Sequence, residues 1–503
     1  MNEEIREKSE ESGGAEGELL TLNETLALLS ISKQTLYRML DRGELTSTKV
    51  GRQRRFRRAD LQAYLERGPV AMARSGVSLA EVQAPLAGLT AQLQAYGEEI
   101  GGSDERISDP VEREIARLLV GVIQVALRSG ASDIHLEPMR ESAIVRLRID
   151  GMLHEIVQIP SAVFPGLIQR LKVMTEMNVD ERRLPQDGRI HLRDQGSEFD
   201  LRVCVIPSFF GESAVVRILD QRAVMFGLDK LGFFSDDLER LQRWNHQPRG
   251  LILLTGPTGS GKTTTLYSCL LSTISPETKV LTIEDPVEYQ IPGTIQVAVN
   301  PRVGLSFASA LRAVYRQDPD VIMIGELRDL ETIEMALQAA LTGHLVFSAL
   351  HTDSTASALQ RLRDVGAEPF IIADGVHGIV AQRLVRKLCQ HCRQPVALDM
   401  EVRRQVQLLA DQGGVTLPDE VTFYHGAGCA QCRGRGYRGR LAVYELLEMS
   451  SAVRQAFLKG ADNEAITQLA VREGMHTLLA DGLRKAAEGW TTVEEVMRVC
   501  SQG

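Results

Sequence analysis

The stretch Gly256-Pro-Thr-Gly-Ser-Gly261-Lys262-Thr263 constrains this chain more than any other. It follows a short apolar run, Leu251–Thr255, and its end opens a helical pattern. Glycines at that spacing let the backbone wrap around a phosphate with its N–H groups turned inward, and the helix N-terminus adds positive potential. Lys262 then reaches the β and γ phosphates, and the Thr263 hydroxyl can ligate magnesium. A glycine-rich turn alone would mean little. A strand before it and a helix after it are the context a phosphate-binding loop requires. Gly256, Pro257, Thr258, Gly259, Ser260, Gly261, Lys262, Thr263 and Thr264 are therefore expected to hold ATP with Mg2+.

The surrounding pattern fits that loop. Short apolar strands at Leu251–Thr255, Lys279–Ile283, Val321–Gly325 and Leu345–Leu350 alternate with helices such as Lys262–Leu271 and Leu330–Leu341. Such alternation predicts a mostly parallel sheet covered on both faces. Residues 108–225 read differently, with one helical pattern (Val111–Leu127) followed by alternating runs such as Ala143–Ile149 and Phe199–Ile206, an α+β pattern. A chain of 503 residues has room for roughly three domains. The reading is α/β: a phosphate-loop lobe over 226–503, an α+β lobe over 108–225, a small module over 19–68 and an acidic, disordered tail over 1–18. Residues 69–107 read as a linker carrying one weakly amphipathic helix, Leu79–Tyr96.

Three further stretches supply what such a loop lacks alone. Ile283-Glu284-Asp285-Pro-Val-Glu288 puts three carboxylates at a strand's end, where a nucleotide would lie. Val321–Gly325 delivers Glu326 to the same edge, where a carboxylate can polarise the attacking water. Thr342-Gly-His344 and His351-Thr352 bracket another strand, which brings His351 toward a phosphate. Singly, each has a plainer reading as a solvated turn or a structural histidine. Their order after the loop favours chemistry.

Four of the seven cysteines form two pairs, Cys389-x-x-Cys392 and Cys429-x-x-Cys432. Four soft ligands in two chelating pairs point to a closed, structural zinc site rather than to redox pairs, for which a thioredoxin-like pattern is missing. The segment 389–440 reads as an insertion, and Arg433, Arg435, Arg438 and Arg440 behind it read as a solvated loop in preference to a docking patch. A helical tail over about 449–500 closes the chain.

From Asp109 to Met497 these motifs resemble the hexameric ATPases of type II secretion and type IV pilus assembly. That family's Walker A, Asp box, Walker B and His box look like Gly256–Thr263, Glu284–Glu288, Val321–Glu326 and Thr342–His351. Ala131-Ser-Asp-Ile-His-Leu-Glu-Pro138, Leu184-Pro-Gln-Asp-Gly-Arg189 and Gln382-Arg383-Leu-Val-Arg386-Lys-Leu-Cys389 match further motifs of it. The resemblance implies a PAS-like lobe and a RecA-like lobe, assembled as a homo-hexamer on a platform protein of the inner membrane. It also implies arginines that act on phosphates: Arg202 and Arg217 from the first lobe, Arg312 and Arg316 from the helix before Walker B. A guanidinium offers the fork that phosphate oxygens need. The rival is that Arg202 and Arg217 sit in surface ion pairs. The strand ends in Gly325-Glu326 rather than Asp, so which of Glu284 and Glu326 activates water stays open, with Glu326 favoured. Retraction-type relatives lack the four cysteines, which favours an assembly or secretion motor.

The first module is similar to excisionase or MerR-type winged helix-turn-helix domains. Thr21–Leu29 and Ser32–Arg42 read as helices, Thr48–Gly51 and Gln53–Phe56 as a wing, and Asp60 as the cap of a third helix. Between Lys33 and Arg58 nine basic residues face only Asp41 and Glu44, although the whole chain carries a net charge of -9. Lys33, Gln34, Tyr37, Arg38, Arg52, Arg54 and Arg55 are the candidate duplex-DNA contacts. An acidic protein partner is the equal alternative. No apolar run is long enough to span a bilayer and no secretory signal opens the sequence, so a cytoplasmic protein reaching the membrane through partners is expected. The leading function is an ATP-driven motor for secretion or pilus assembly. A nucleotide-gated DNA-binding regulator and a motor for DNA uptake or transfer are the alternatives.

Overall fold

The computed structural model describes residues 19–22, 24–25, 36, 47–50, 53–58, 61, 77–96, 98–101, 107–220, 227–418 and 420–500. The chain divides into two compact units, residues 1–81 and 82–503.

In the first unit, β1 (Leu19–Leu20), β2 (Thr48–Val50) and β3 (Gln53–Arg57) form a sheet in the order β1-β3-β2. The expected wing is the antiparallel β2–β3 pair. The pairing of β1 with β3 leaves no mark in the sequence, because two residues are too few to carry a strand period. Thr21 and Glu24 cap each other reciprocally, the Thr21 N–H donating to Glu24 at 2.7 Å and the Glu24 N–H to Thr21 Oγ1 at 3.3 Å. Leu36, Phe56 and Leu61 are completely buried. The acidic tail lies outside the described residues, as does the Asp60 cap.

The boundary between the units falls in the first turn of α1 (Leu79–Gln94), the expected linker helix, and α2 (Pro110–Ser129) follows it in the second unit. Asp109 caps α2 by accepting from the N–H groups of Val111 and Glu112, and Gly130, in the left-handed region, ends it. Six antiparallel strands follow: β4 (Ala131–Pro138), β5 (Ser142–Ile149), β6 (Met152–Pro160), β7 (Gln186–Asp194), β8 (Ser197–Ser208) and β9 (Gly211–Asp220). They lie in the order β6-β5-β4-β9-β8-β7, with α3 (Phe164–Met174) between β6 and β7 in sequence.

The phosphate-loop lobe is built on seven strands: β10 (Gly250–Thr255), β11 (Val280–Glu284), β12 (Thr294–Ala298), β13 (Val321–Ile324), β14 (Leu345–Leu350), β15 (Val376–Leu388) and β18 (Tyr437–Glu448). Their order is β12-β11-β13-β14-β10-β15-β18, and all pairs are parallel except β15–β18. Every residue of β10, β11, β13 and β14 is buried, as the run of apolar residues without alternation requires of strands covered on both faces. The sheet is larger than the four strands expected. β18 begins at Tyr437, inside the segment read as a cysteine insertion, and returns antiparallel along β15. The small pair β16 (Arg393–Val396) and β17 (Phe423–Gly426) lies between them in sequence.

The helical tail is fastened to β18 by a fully buried ion pair. Lys485 Nζ donates to Asp481 at 2.6 Å and to the Ala442 carbonyl at 2.8 Å, while the Tyr444 N–H donates to the same carboxylate at 2.9 Å. Removing one partner of such a pair leaves an uncompensated charge. Asp481→Ala is expected to destabilise the lobe by about 3–5 kcal/mol. A fall in the denaturant midpoint of the full chain measures it, and an unchanged midpoint would contradict it.

Candidate nucleotide site and cysteine centre

Gly256, Gly259 and Gly261 all have positive φ, at 149°, 80° and 90°. A Cβ on Gly256 would fall 2.5 Å from the Gln382 carbonyl oxygen, and one on Gly261 would fall 2.7 Å from Gln382 Nε2. The loop is wound too tightly against β15 for any side chain there. Gln382, buried on β15, donates Nε2 to the Ser260 carbonyl at 2.8 Å and accepts from Thr265 Oγ1 at 2.8 Å. Lys262 opens α4 (Lys262–Thr273), and its Nζ donates to the carbonyls of Gly256 at 2.7 Å and Pro257 at 3.1 Å. Ser260 Oγ is buried without a hydrogen-bond partner, so the cradle holds a polar atom that a phosphate oxygen would satisfy. Pro257, Thr258 and Thr263 are exposed at the loop's surface and Thr264 is half-buried.

The carboxylates divide into two environments. Glu326 follows β13 and lies beside His351, whose Nε2 is 3.4 Å from its oxygen. His351 Nδ1 in turn lies 3.5 Å from Lys262 Nζ, so lysine, histidine and glutamate form a chain at the loop. Arg328 contacts Glu326 as well and stands 3.6 Å from Asp285. Glu284 is buried and occupied: Tyr267 Oη donates to one oxygen, while Thr282 Oγ1 at 2.6 Å and Gln296 Nε2 at 3.1 Å donate to the other. Glu288 does not meet the loop at all. It pairs with Arg202 at 2.8 Å.

Burial pushes the Lys262 ammonium down to about 8, with Glu326 opposing the shift and Arg383 adding to it. Arg383 is itself held by the Asp353 carboxylate at 2.9 Å.

The four arginines are not on the loop in this conformation. Arg202 bridges the lobes through Glu288 and the Val287 carbonyl, and Arg217 pairs with Asp133 at 3.1 Å. The ion-pair reading therefore describes both in this state. Arg217 nevertheless lines a cleft of about 1400 Å³ between the lobes together with Gly261, Thr264 and Thr265. Arg312 lies on α5 (Phe307–Val314) and contacts Glu331. Arg316 sits in the 3-10 turn after that helix rather than within it, donating to the Arg312 carbonyl at 2.8 Å. Both face away into exposed positions.

Cys389, Cys392, Cys429 and Cys432 converge, with Sγ–Sγ distances of 3.8 Å for Cys389–Cys429, 3.7 Å for Cys392–Cys432 and 3.7 Å for Cys429–Cys432. A tetrahedron with metal–sulfur bonds of about 2.3 Å has edges close to those values. Burial alone would raise the Cys432 thiol. The N–H groups of Cys429 and Gly436, each 3.2 Å from its sulfur, together with the Cys392 and Cys429 thiols, outweigh it and bring the thiol down to about 6, while burial and the neighbouring sulfurs push Cys392 up. Four sulfurs at those separations fit a thiolate-bound metal. Among the described residues, Asp236, Asp237 and His476 form another such cluster, but Arg484 and Arg240 already neutralise those carboxylates.

One of the arginines that follow the cysteines, Arg433, departs from the expectation of a solvated loop. Arg433 donates to Ser129 Oγ at 3.0 Å and to the Arg128 carbonyl at 3.4 Å, at the C-terminal end of α2, and stacks 4.2 Å over Tyr96. A cation at a helix C-terminus meets its negative end. Arg435 and Arg438 do turn back on the knuckle itself, to the Cys432 carbonyl and to Gln431. Gln382, Arg328, Tyr267 and Arg433 were not singled out in advance as site residues. Gln382, Tyr267 and Arg433 find their partners far away in sequence, so no local spacing marks them, while Arg328 meets Glu326 two residues back and also faces the distant Asp285. Of the candidate DNA contacts, Arg54 and Arg55 lie on β3, while Lys33, Gln34, Tyr37, Arg38 and Arg52 fall outside the described residues.

Comparison with known proteins matches residues 109–498 to the family described as Type II/IV secretion system protein, and residues 19–69 to the Helix-turn-helix domain family. The chain is 47% identical over 388 residues to Type II secretion system protein E of Xanthomonas campestris pv. campestris, covering 77% of this chain and 68% of that one. It is 44% identical over 399 residues to Type IV pilus assembly ATPase PilB of Thermus thermophilus, covering 78% of this chain and 44% of that one. Among solved structures, the pilus retraction motor PilT with bound ADP matches with a TM-score of 0.51 at 29% identity, over 75% of this chain and 95% of that chain.

The lysine at the loop has a measurable consequence. A phosphate favours the charged ammonium, so nucleotide binding to a lysine that titrates near 8 takes up a proton above that pH. ATP affinity is expected to fall as the pH rises from 7 to 9. Calorimetry in buffers of different ionisation enthalpy should register the proton uptake. Affinity that is flat across this range would contradict it.

Proposed function

Because the chain belongs to the type II/IV secretion system protein family, we propose that it is an ATP-hydrolysing motor that powers type II secretion or type IV pilus assembly. In this reading it works as a homo-hexamer at the cytoplasmic face of the inner membrane, bound to a membrane platform protein. Among the described residues no helix is long and apolar enough to cross a membrane. The division into module, linker, PAS-like lobe over 108–225 and RecA-like lobe over 226–503 belongs to the same proposal.

The chain of Lys262, His351 and Glu326 at a loop that excludes side chains carries the reading. Lys262 leaves the Gly256 and Pro257 carbonyls to bind phosphate oxygens. Thr263 would hold Mg2+, which neutralises charge on the β and γ oxygens. Glu326, kept in place by His351 and Arg328, orients the attacking water and accepts its proton. Glu284 is the poorer base because its oxygens are already committed to three donors. Movement of the lobes about the cleft brings Arg202 and Arg217 to the phosphates as charge develops. The four cysteines hold a structural zinc ion.

Glu326→Gln is expected to lower kcat by at least about 100-fold while ATP binding persists, whereas Lys262→Ala loses both. Near-normal turnover in either variant, followed by phosphate release, would remove the site assignment.

A second reading has its own observation, the helix-turn-helix match with a β2–β3 wing bearing Arg54, Arg55 and Arg57. It makes the chain a nucleotide-gated DNA-binding regulator or a motor coupled to DNA. Fluorescence anisotropy of labelled duplexes with the full-length chain at two salt concentrations separates the cases. Sequence-preferring binding that weakens with salt, by a log–log slope of about 0.9 per phosphate contacted, supports DNA. No binding at low salt leaves the module as an adaptor for an acidic protein.

A further inference from the structure

The register of the six-stranded sheet aligns five charged residues in one row. Arg148 on β5 opposes Asp133 on β4, Asp133 opposes Arg217 on β9, Arg217 opposes Arg202 on β8, and Arg202 opposes Arg189 on β7. Residues directly opposite on neighbouring strands share a face and lie roughly 5 Å apart, where like charges repel. The row holds four guanidinium groups and a single carboxylate. Arg202 finds a second carboxylate on the other lobe, Glu288, and Arg148 donates to the Gly151 carbonyl at 3.0 Å. Among the described residues, Arg217 has Asp133 alone.

The geometry of that contact is informative. Asp133 is 7% exposed, and one of its oxygens is fixed by Ser132 Oγ at 2.8 Å with Arg148 Nε at 3.8 Å. Its other oxygen accepts from Arg217 Nε at 3.1 Å. The bond uses the inner nitrogen of the guanidinium, and among the described residues neither terminal nitrogen of Arg217 has a partner. The side chain is 60% exposed and lines the cleft that also contains Gly261 and Thr264 of the phosphate site. A carboxylate that engaged the terminal nitrogens would compete with phosphate. One that holds Nε sets the plane of the fork and leaves it open.

We infer that Asp133 is the positioning residue for Arg217, orienting its terminal nitrogens into the cleft so that they meet the nucleotide's phosphates when the lobes close. The inference rests on the reading that Arg217 acts on those phosphates. It assigns a function to the aspartate of Ala131–Pro138, which the site chemistry otherwise leaves unused. Asp133 also offsets the repulsion that Arg148, Arg202 and Arg189 exert on Arg217, so its loss lets the fork swing away from the row.

The test is steady-state ATP hydrolysis by the full-length chain and by Asp133→Ala, Asp133→Asn, Arg217→Lys and the Asp133→Ala/Arg217→Lys pair, each with its thermal midpoint. Misplacement of a charge-stabilising group by about 1 Å costs on the order of 100-fold in rate, so Asp133→Ala should lower kcat by that order with KM for ATP little changed. Asp133→Asn, whose amide oxygen still accepts from Nε, should recover most of the loss. In the Arg217→Lys background, where no Nε remains to hold, Asp133→Ala should slow turnover no further. Equal slowing in both backgrounds would show a purely structural aspartate and overturn the inference. So would full kcat in Asp133→Ala while Arg217→Lys is slow. If Arg217→Lys itself turns over normally, the assignment of Arg217 to the phosphates fails, and the inference fails with it.

Discussion

The amide of Gln382 holds the phosphate loop in shape, and much of this lobe follows from that one bridge. It reaches from β15 to the second half of the turn and the start of α4, donating to the Ser260 carbonyl and accepting from Thr265. With the Gln382 backbone 2.5 Å from where a Cβ of Gly256 would sit, the turn needs glycine. The same strand then serves two more sites. Arg383 ties Asp353 to the strand beside the loop, and Arg386 donates to the Glu495 carboxylate of the final helix at 2.8 Å while stacking on Tyr437. After Leu388 the strand runs directly into Cys389. Loop geometry, the packing of the tail and the cysteine centre therefore share one rigid element. A shift of β15 could not move one of them alone.

The charges around the loop are arranged for a change of partner. Lys262 rests on carbonyls of its own loop, Arg202 on Glu288 and Arg217 on Asp133. Lys262 and Arg202 rest in this conformation on groups weaker than a triphosphate, Arg217 is held through Nε with its fork free, and the depressed titration of Lys262 reflects how little solvent reaches it. Glu326 differs, since His351 and Arg328 steady it without enclosing it. The contact of Arg433 with Tyr96 and the end of α2 is another bridge between the lobes, beside Arg202–Glu288 and the Gly439 N–H to Asp150. The cysteine knuckle thus reaches the first lobe as well as the sheet that carries the nucleotide site.

What could be read in advance was local. The loop, the cysteine pairs and the acidic strand ends each occupy a few consecutive residues, so spacing alone exposes them. The strands β10, β11, β13 and β14 announced themselves as short, mainly apolar runs, with Thr282, Glu284 and Ser348 as the polar exceptions in β11 and β14. β15 and β18 did not: charged and polar residues such as Gln382, Arg383 and Glu445 interrupt them, and those residues are buried because each finds a partner. Pairing with distant residues also decided the fate of the arginines. Nothing in the neighbourhood of Arg433 distinguishes it from Arg438, yet one docks against a helix end and the other turns back on its own loop. Glu288 read as a nucleotide-edge carboxylate, and a strand from the other lobe claimed it. The charged row from Arg148 to Arg189 exists only once strand register is known.

The central claim is that a triphosphate draws Lys262 off its loop carbonyls and takes the fork of Arg217 that Asp133 leaves open. A cryo-electron microscopy structure of the Mg2+-loaded protein with a non-hydrolysable ATP analogue tests it most directly. The account predicts Lys262 Nζ withdrawn from the Gly256 and Pro257 carbonyls onto phosphate oxygens, and the terminal nitrogens of an Arg217, from the same chain or a neighbouring copy, within about 3 Å of a phosphate oxygen. An analogue seated in the loop with Lys262 still on those carbonyls, or with every Arg217 left in solvent, would contradict it.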